Sequence, residues 1–139
     1  MVHCLFLGPF KDDRLKSLAE DYLRRLSRLW PVDLEEIPED DRSILRHLKK
    51  RKGRGEIVSL DADGKSMDSG EFMRWVTSTP KDLTLVGWGA SGPKEEWKAL
   101  ADRSLSLSPM TASHELARVF LLEQLYRAAA TLKGHPYAK

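Results

Sequence analysis

Leu83-Thr84-Leu85-Val86-Gly87-Trp88-Gly89-Ala90-Ser91-Gly92-Pro93 is the stretch that decides how this chain folds. Its first four residues predict a buried strand, the three glycines that follow predict a turn, and Pro93 suits the first turn of a helix running to Ala101. A glycine-rich turn at the end of a strand lets backbone approach a ligand closely, because glycine has no Cβ and tolerates positive φ. The same grammar recurs downstream in Leu105-Ser106-Leu107-Ser108-Pro109-Met110-Thr111, a short strand over Leu105 to Leu107 and then a turn, with a helix from Glu115 to about Leu132. Two backbone-lined turns in succession predict the opposite walls of a cofactor cleft.

Toward the N-terminus the pattern repeats. Val2 to Leu7 reads as a strand ended by Gly8-Pro9, and Asp12 or Asp13 caps a helix whose apolar face uses Leu15, Leu18, Ala19, Tyr22, Leu26 and Leu29. Trp30-Pro31 stops it. Val32 to Ile37 is a second strand, Asp40 or Asp41 caps a helix carrying Ile44, Leu45 and Leu48, and Gly53 and Gly55 end that helix. Glu56 to Leu60 is a third strand, Asp61-Ala62-Asp63-Gly64 a turn, and Ser69 to Ser78 a helix with Phe72, Trp75 and Val76 inward. Strands separated by helices imply an α/β fold with a mainly parallel sheet covered on both faces. A length of 139 residues with 41% hydrophobic content suits one domain over 1–139. The final helix is apolar nearly all round, so it is buried by its own domain, by a partner subunit, or by both.

Composition narrows the function classes. The single cysteine, Cys4, rules out an internal disulfide framework, and His3, His47, His114 and His135 show no zinc-like spacing with it, so no metal is expected. This points to a reducing, cytoplasmic compartment. The N-terminus lacks the basic start and cleavage region of a secretory signal, and no stretch approaches a membrane span. Net charge is only +2, yet Arg42, Arg46, Lys49, Lys50, Arg51, Lys52 and Arg54 follow one another without an intervening acid. That run is either a phosphate-binding surface or a solvated helix end that complements the helix dipole. Arg14, Lys16, Arg24, Arg25 and Arg28 add a second basic face.

Taken literally, Gly87, Gly89 and Gly92 satisfy the GxGxxG pattern of dinucleotide-binding proteins. That fingerprint needs an acidic residue at the end of the following strand, and Leu105 to Ala112 contains none. A nucleotide-dependent oxidoreductase is therefore the weaker of the available readings.

Several blocks in order carry a more specific resemblance: Tyr22-Leu23-Arg24-Arg25, Leu60-Asp61 with Gly64-Lys65, Gly89-Ala90-Ser91-Gly92, Leu105 to Thr111, His114-Glu115-Leu116-Ala117-Arg118, Leu122 to Ala128, and His135-Pro136-Tyr137. Together they resemble the ribosomal RNA large subunit methyltransferase H family, the small single-domain branch of the SPOUT methyltransferases. The resemblance spans essentially the whole chain. It implies an α/β knot, a mainly parallel sheet with helices on both faces and a C-terminal trefoil knot whose three loops cradle S-adenosylmethionine. It also implies a homodimer that methylates N3 of a pseudouridine in 23S ribosomal RNA on the assembled ribosome.

Carried over by position, the cofactor residues are Leu60, Gly64, Gly89, Gly92, Leu105, Ser106, Leu107, Met110 and His114, with Val86 and Gly87 completing the second loop. The basic residues Arg24, Arg25, Arg46, Lys49, Lys50 and Arg51 are the expected phosphate contacts. Two departures from the family stand out. Trp88 occupies a position where the family has glycine, and it either changes the local backbone or sets an indole beside the cleft. The family tail Pro-Tyr-His reads here Pro136-Tyr137-Ala138-Lys139, which leaves His135, Tyr137 and Lys139 as the expected catalytic groups. His114 is expected to hold its loop, and Arg118 and Arg127 are candidate ion-pair partners of Glu115 and Glu123. Trp88 and Ala138 also keep open a non-catalytic, RNA-binding or ribosome-associated role on the same scaffold.

Overall fold

The computed structural model describes residues 1–137. Period-two alternation within the strands builds the molecule. In strand β1 (Val2–Leu7), Val2, Cys4 and Phe6 enter one core while Leu5 and Leu7 enter another on the opposite face. Strand β4 (Asp82–Gly87) divides Leu83 and Leu85 from Val86 in the same way. Strand β3 (Gly55–Ser66) divides Val58 from Ile57. Strands with apolar residues on both faces must be covered on both, and β2 (Val32–Ile37) and β5 (Arg103–Ser106) complete a five-stranded sheet in the order β2-β1-β4-β3-β5. Every pairing is parallel.

Helices α1 (Asp13–Ser27), α3 (Ser69–Ser78) and α5 (His114–Leu132) cover the first face, with α5 packed between α1 and α3. Helices α2 (Asp41–Arg51) and α4 (Glu95–Lys98) cover the second. Side chains mark the starts: Asp12, Asp40, Asp68 and Ser113 each accept a hydrogen bond from an amide in the first turn, and Asp68 forms a reciprocal box with Glu71. Because the sheet is parallel, helix N-termini gather at the C-terminal ends of the strands and helix C-termini at the other pole. Cys4 lies in the first core, where burial and nearby Asp33 push its thiol up to about 12, leaving it a small apolar filler.

Three elements differ from expectation. The third strand does not end at Leu60 but continues to Ser66 across a register break in which Leu105 pairs with both Leu60 and Lys65. Asp61 to Gly64 bulge outward there, pinned by the Asp63 amide donating to Asp61 Oδ1 at 3.1 Å. Gly64 lets the strand return, since a Cβ at that position would stand 2.6 Å from the Ser104 carbonyl carbon. The helix expected over Pro93 to Ala101 shortens to one turn, Glu95–Lys98, anchored by buried Trp97. The fifth strand shifts to Arg103–Ser106, which frees Leu107 for the following turn.

Candidate active site

Three chain segments converge at the C-terminal ends of the strands and enclose a cavity of about 430 Å³. The bulge after Leu60 supplies Leu60, Asp61 and Ala62. The turn after β4 supplies Gly87 to Ala90, Gly92 and Pro93, closed by the Gly92 amide donating to the Gly89 carbonyl at 3.0 Å with Gly92 at φ 72°. The segment after β5 supplies Leu105, Leu107, Ser108 and Met110 to Ala112, shaped by the Ser106 hydroxyl donating to the Ser108 carbonyl at 2.8 Å and the Met110 amide donating to Ser108 Oγ at 3.1 Å. The first turns of α5 form the floor through His114, Leu116, Ala117, Arg118 and Phe120. The volume is that of a drug-sized ligand site, and the walls are main chain and apolar side chains with few polar groups.

Of the sequence-derived cofactor positions, Leu60, Gly87, Gly89, Gly92, Leu105, Leu107, Met110 and His114 line the cavity. Three lie behind the wall. Val86 is fully buried in the second core, Gly64 is pressed against β5, and Ser106 is buried where it shapes the third turn. Asp61, within the turn expected to supply the first wall, lines the cavity too; the α5 residues Leu116, Ala117, Arg118 and Phe120 escaped the sequence reading, because a helix apolar nearly all round does not show which side faces the cleft.

Trp88 resolves to a core residue. Its ring stacks on Trp97 at 6.1 Å and 17°, its Nε1 donates to Ser59 Oγ at 2.7 Å, and it takes no positive φ. The indole is therefore turned into the second core, and the turn keeps its shape without the expected glycine.

Charge in the cleft is sparse and mostly committed. Asp61 accepts from Lys98 Nζ at 2.6 Å, and that hydrogen bond leads in holding its carboxyl below the ordinary range. Lys98 belongs to α4, so the pair braces the first wall to the second. Arg118 is 1% exposed and does not pair with Glu115 as expected: its guanidinium donates to the carbonyls of Leu7 and Gly8, under the rings of Phe6 and Phe10 at 5.1 Å each. Burial lowers its pKa, opposed by Glu36, Glu115 and Glu39. Glu115 instead accepts the amides of Lys11 and Asp12 at 2.9 and 3.0 Å, bonds that hold its carboxyl low against the cost of burial. The first turn of α5 thus fastens the loop after β1 while lining the cleft.

The tail lies elsewhere. Tyr137 donates to Glu123 Oε2 at 2.9 Å, stands 3.3 Å from the Tyr22 hydroxyl, and packs on Tyr126 at 4.5 Å; burial first, then Tyr22 and Glu123, raise its pKa. Arg127 pairs with the same Glu123 carboxylate at 3.1 Å, as the spacing predicts. His135 Nδ1 accepts the Tyr137 amide at 3.2 Å. Glu123 is nine residues along α5 from His114, about 14 Å of helix, so neither His135 nor Tyr137 lines the cleft of its own chain. Lys139 and Ala138 lie outside the described residues.

Helix direction also separates the basic residues from the cleft. Arg24 and Arg25 in the last turn of α1, and Lys49, Lys50 and Arg51 in the last turn of α2, lie at the opposite pole, with Arg46 on the exposed middle of α2. Arg24 and Arg25 pair with Asp21, and Arg51 sits 3.6 Å from Glu35. Among the described residues no group of three His, Cys, Asp or Glu side chains is placed to hold a metal ion, and no helix is long and apolar enough to cross a membrane.

Comparison with known proteins places this architecture. The family model described as "Predicted SPOUT methyltransferase" matches residues 1–138. Among solved structures, TrmJ from Z. mobilis ZM4 superposes with a TM-score of 0.61 at 8% identity, covering 92% of this chain and 70% of that one. The SpoU methyltransferase AviRb from Streptomyces viridochromogenes, solved with AdoMet, superposes with a TM-score of 0.53 at 17% identity, covering 90% and 56%. At such identities the likeness speaks for the fold alone, and it is the family model that gives the class, the SPOUT methyltransferases. Curated relatives are closer in sequence. Ribosomal RNA large subunit methyltransferase H of Solibacter usitatus (strain Ellin6076) is 38% identical over 99% of both chains, and that of Koribacter versatilis (strain Ellin345) is 36% identical over 98% of this chain and 96% of its own. The chain belongs to the ribosomal RNA large subunit methyltransferase H family of SPOUT methyltransferases.

Proposed function

We propose that this protein is an S-adenosylmethionine-dependent methyltransferase of large-subunit ribosomal RNA, acting in the cytoplasm as a homodimer of single-domain chains. The observation that carries the reading is the cleft itself, three backbone-lined turns meeting at the strand ends in a chain of this family. Its residues suit the cofactor. Leu60, Leu105 and Leu107 offer apolar faces to an adenine ring, while the main chain around Gly89 and Met110 offers amides and carbonyls to its polar edges. A bound S-adenosylmethionine supplies a methyl group activated by its sulfonium. The chain's share is to orient, to exclude water, and to hold the target nitrogen opposite that methyl, which by itself accounts for large accelerations. The finer expectations belong to the same proposal: N3 of a pseudouridine as the target, 23S RNA in the assembled ribosome as the substrate, and a trefoil knot around the cleft, for which the return of α5 over the end of β1 speaks.

Two features support the homodimer. Met110, Leu116 and Phe120 line the cleft and remain 79%, 48% and 45% exposed, an apolar rim that a second copy would cover. The tail carrying His135 and Tyr137 is also tied away from its own cleft, so it meets a target base there only if it comes from the partner. Leu116→Glu combined with Phe120→Glu is expected to convert a dimer into a folded monomer at micromolar concentration in sedimentation equilibrium. An unchanged dimer would place the interface elsewhere.

The inward turn of Trp88 removes one of the two reasons for a non-catalytic role. The decisive experiment is transfer of a radiolabelled methyl group from S-adenosylmethionine to ribosomes that lack the modification, with the modified nucleotide mapped by mass spectrometry. Label at N3 of a pseudouridine in 23S RNA supports the reading, and cofactor binding without transfer overturns it in favour of an RNA-binding role.

For the basic residues we propose phosphate contacts. Replacing Lys49, Lys50 and Arg51 together with alanine should flatten the slope of log affinity against log salt by about 0.7 to 0.9 per lost contact. An unaltered slope would make the end of α2 a solvated helix terminus.

A further inference from the structure

We propose that His114 is the proton acceptor of the methyl transfer; this rests on the reading that the target is a ring nitrogen carrying a hydrogen. Three ionisable side chains line the cleft among the described residues: Asp61, His114 and Arg118. Asp61 is committed to Lys98, and Arg118 is sealed beneath Phe6 and Phe10 with its guanidinium on two carbonyls. His114 differs from both. Its side chain is 26% exposed, its Nε2 stands 4.0 Å from Glu115 Oε2, beyond hydrogen-bonding reach, and the other oxygen of Glu115 already takes the amides of Lys11 and Asp12. The Ser113 cap fixes the backbone from which it projects, beside the exposed stretch Met110 to Ala112. No imidazole is available at position 138, which is alanine, and the Nδ1 of His135 is used by the Tyr137 amide.

The chemistry requires such a group. The ring N–H bond must break, leaving its electron pair on nitrogen and passing the proton to an imidazole nitrogen of His114. The nitrogen pair then forms the bond to the methyl carbon as the carbon–sulfur bond breaks and sulfur leaves as a neutral thioether. The imidazolium returns its proton to water. Imidazole is the side chain whose ordinary titration range spans neutrality, and general-base assistance is typically worth about 10²- to 10⁴-fold. The charged groups around the cleft end of α5 are Glu115 and Arg118 on the helix, Lys11 and Asp12 on the loop after β1, Asp61 with Lys98 across the cleft, and Glu39 beside Gly89.

The test compares wild type, His114→Gln and His114→Gly in single-turnover methyl transfer to unmodified ribosomes from about pH 6 to 9, with calorimetry of S-adenosylmethionine on each protein in the absence of RNA. The expected result is a rate lowered by about 10²-fold or more near neutrality, well beyond any accompanying loss of cofactor affinity, loss of the wild-type pH-dependent limb, and saturable rescue of His114→Gly by added imidazole. A wild-type rate and pH profile in His114→Gln would overturn the proposal. So would a rate loss matched by an equal loss of cofactor affinity, which would make His114 a wall residue only, or a failure of imidazole to rescue. Should His114→Gln not fold, His114→Gly with and without imidazole decides by the same criteria. A wild-type protein that binds the cofactor yet transfers nothing overturns the enzymatic reading itself, and this inference with it.

Discussion

Replacing Trp88 with alanine is expected to destabilise the fold by about 3–5 kcal/mol, the usual cost of removing a large buried aromatic ring. The indole is 5% exposed, stacks on Trp97, and sits in the core that covers the second face of the sheet. Its removal takes away the ring on which Trp97, the anchor of the one-turn helix α4, stacks, and α4 carries Lys98, the brace to Asp61 across the cleft. Loss of stability should therefore be accompanied by weaker cofactor binding. Trp88→Phe separates the contributions. It keeps most of the apolar bulk but leaves the Ser59 hydroxyl, which is fully buried, without its partner, an expected cost of about 1–3 kcal/mol. Urea unfolding followed by circular dichroism measures both. A change below 1 kcal/mol in Trp88→Ala would show that the ring is not part of the folded core.

Gly89→Val is expected to abolish measurable cofactor binding, a loss of more than about 100-fold, or roughly 2.7 kcal/mol, while unfolding stays cooperative. A side chain at Gly89 would collide with the Glu39 carboxylate, the far end of a flexible and exposed side chain, so the fold can yield there. The turn cannot yield as easily. Gly89 contributes the carbonyl that closes it onto Gly92, and the cavity wall is the main chain of these same residues. A shift of the second wall is therefore felt where the cofactor needs its hydrogen bonds. Calorimetry decides the matter, and affinity within a few-fold of wild type would remove this turn from the binding site.

The two substitutions illustrate different kinds of legibility. Gly89 was readable because glycines after an apolar strand declare a close backbone approach. Trp88 was not, because a single sequence shows that a large ring occupies the turn but not to which side of the sheet it swings. The partner that decides this, Trp97, lies on an element whose length was overestimated, and Ser59 lies in another strand. The same limit applies to Arg118 and Glu115. Spacing on a helix suggests a local ion pair, yet the loop after β1 arrives with unpaired amides and carbonyls, and these compete for both side chains.

The local determinants were all present in the chain itself. Aspartates at positions 12, 40 and 68 start three helices, proline and glycine stop them, and apolar runs of strand length alternating with helices imply a covered parallel sheet. Near-neighbour chemistry encodes these features, so the fold class and the positions of the three turns follow from sequence. What only the tertiary structure decided is which distant groups meet. The bulge at Asp61 to Gly64 exists because Leu105 is shared between Leu60 and Lys65, and no residue within the bulge announces that register break. The floor of the cleft comes from α5 because that helix crosses back over the end of β1. The tail follows the 19-residue helix α5, which carries it away from the cleft, and it is then held on Glu123, nine residues of helical rise from His114, and on Tyr22. Arg24 and Arg25, like Lys49, Lys50 and Arg51, end at the pole opposite the cleft, because helices in a parallel sheet must run against the strands. Proximity along a chain and proximity in space are separated by the rigidity of the elements between them, and that separation is what a sequence alone does not display.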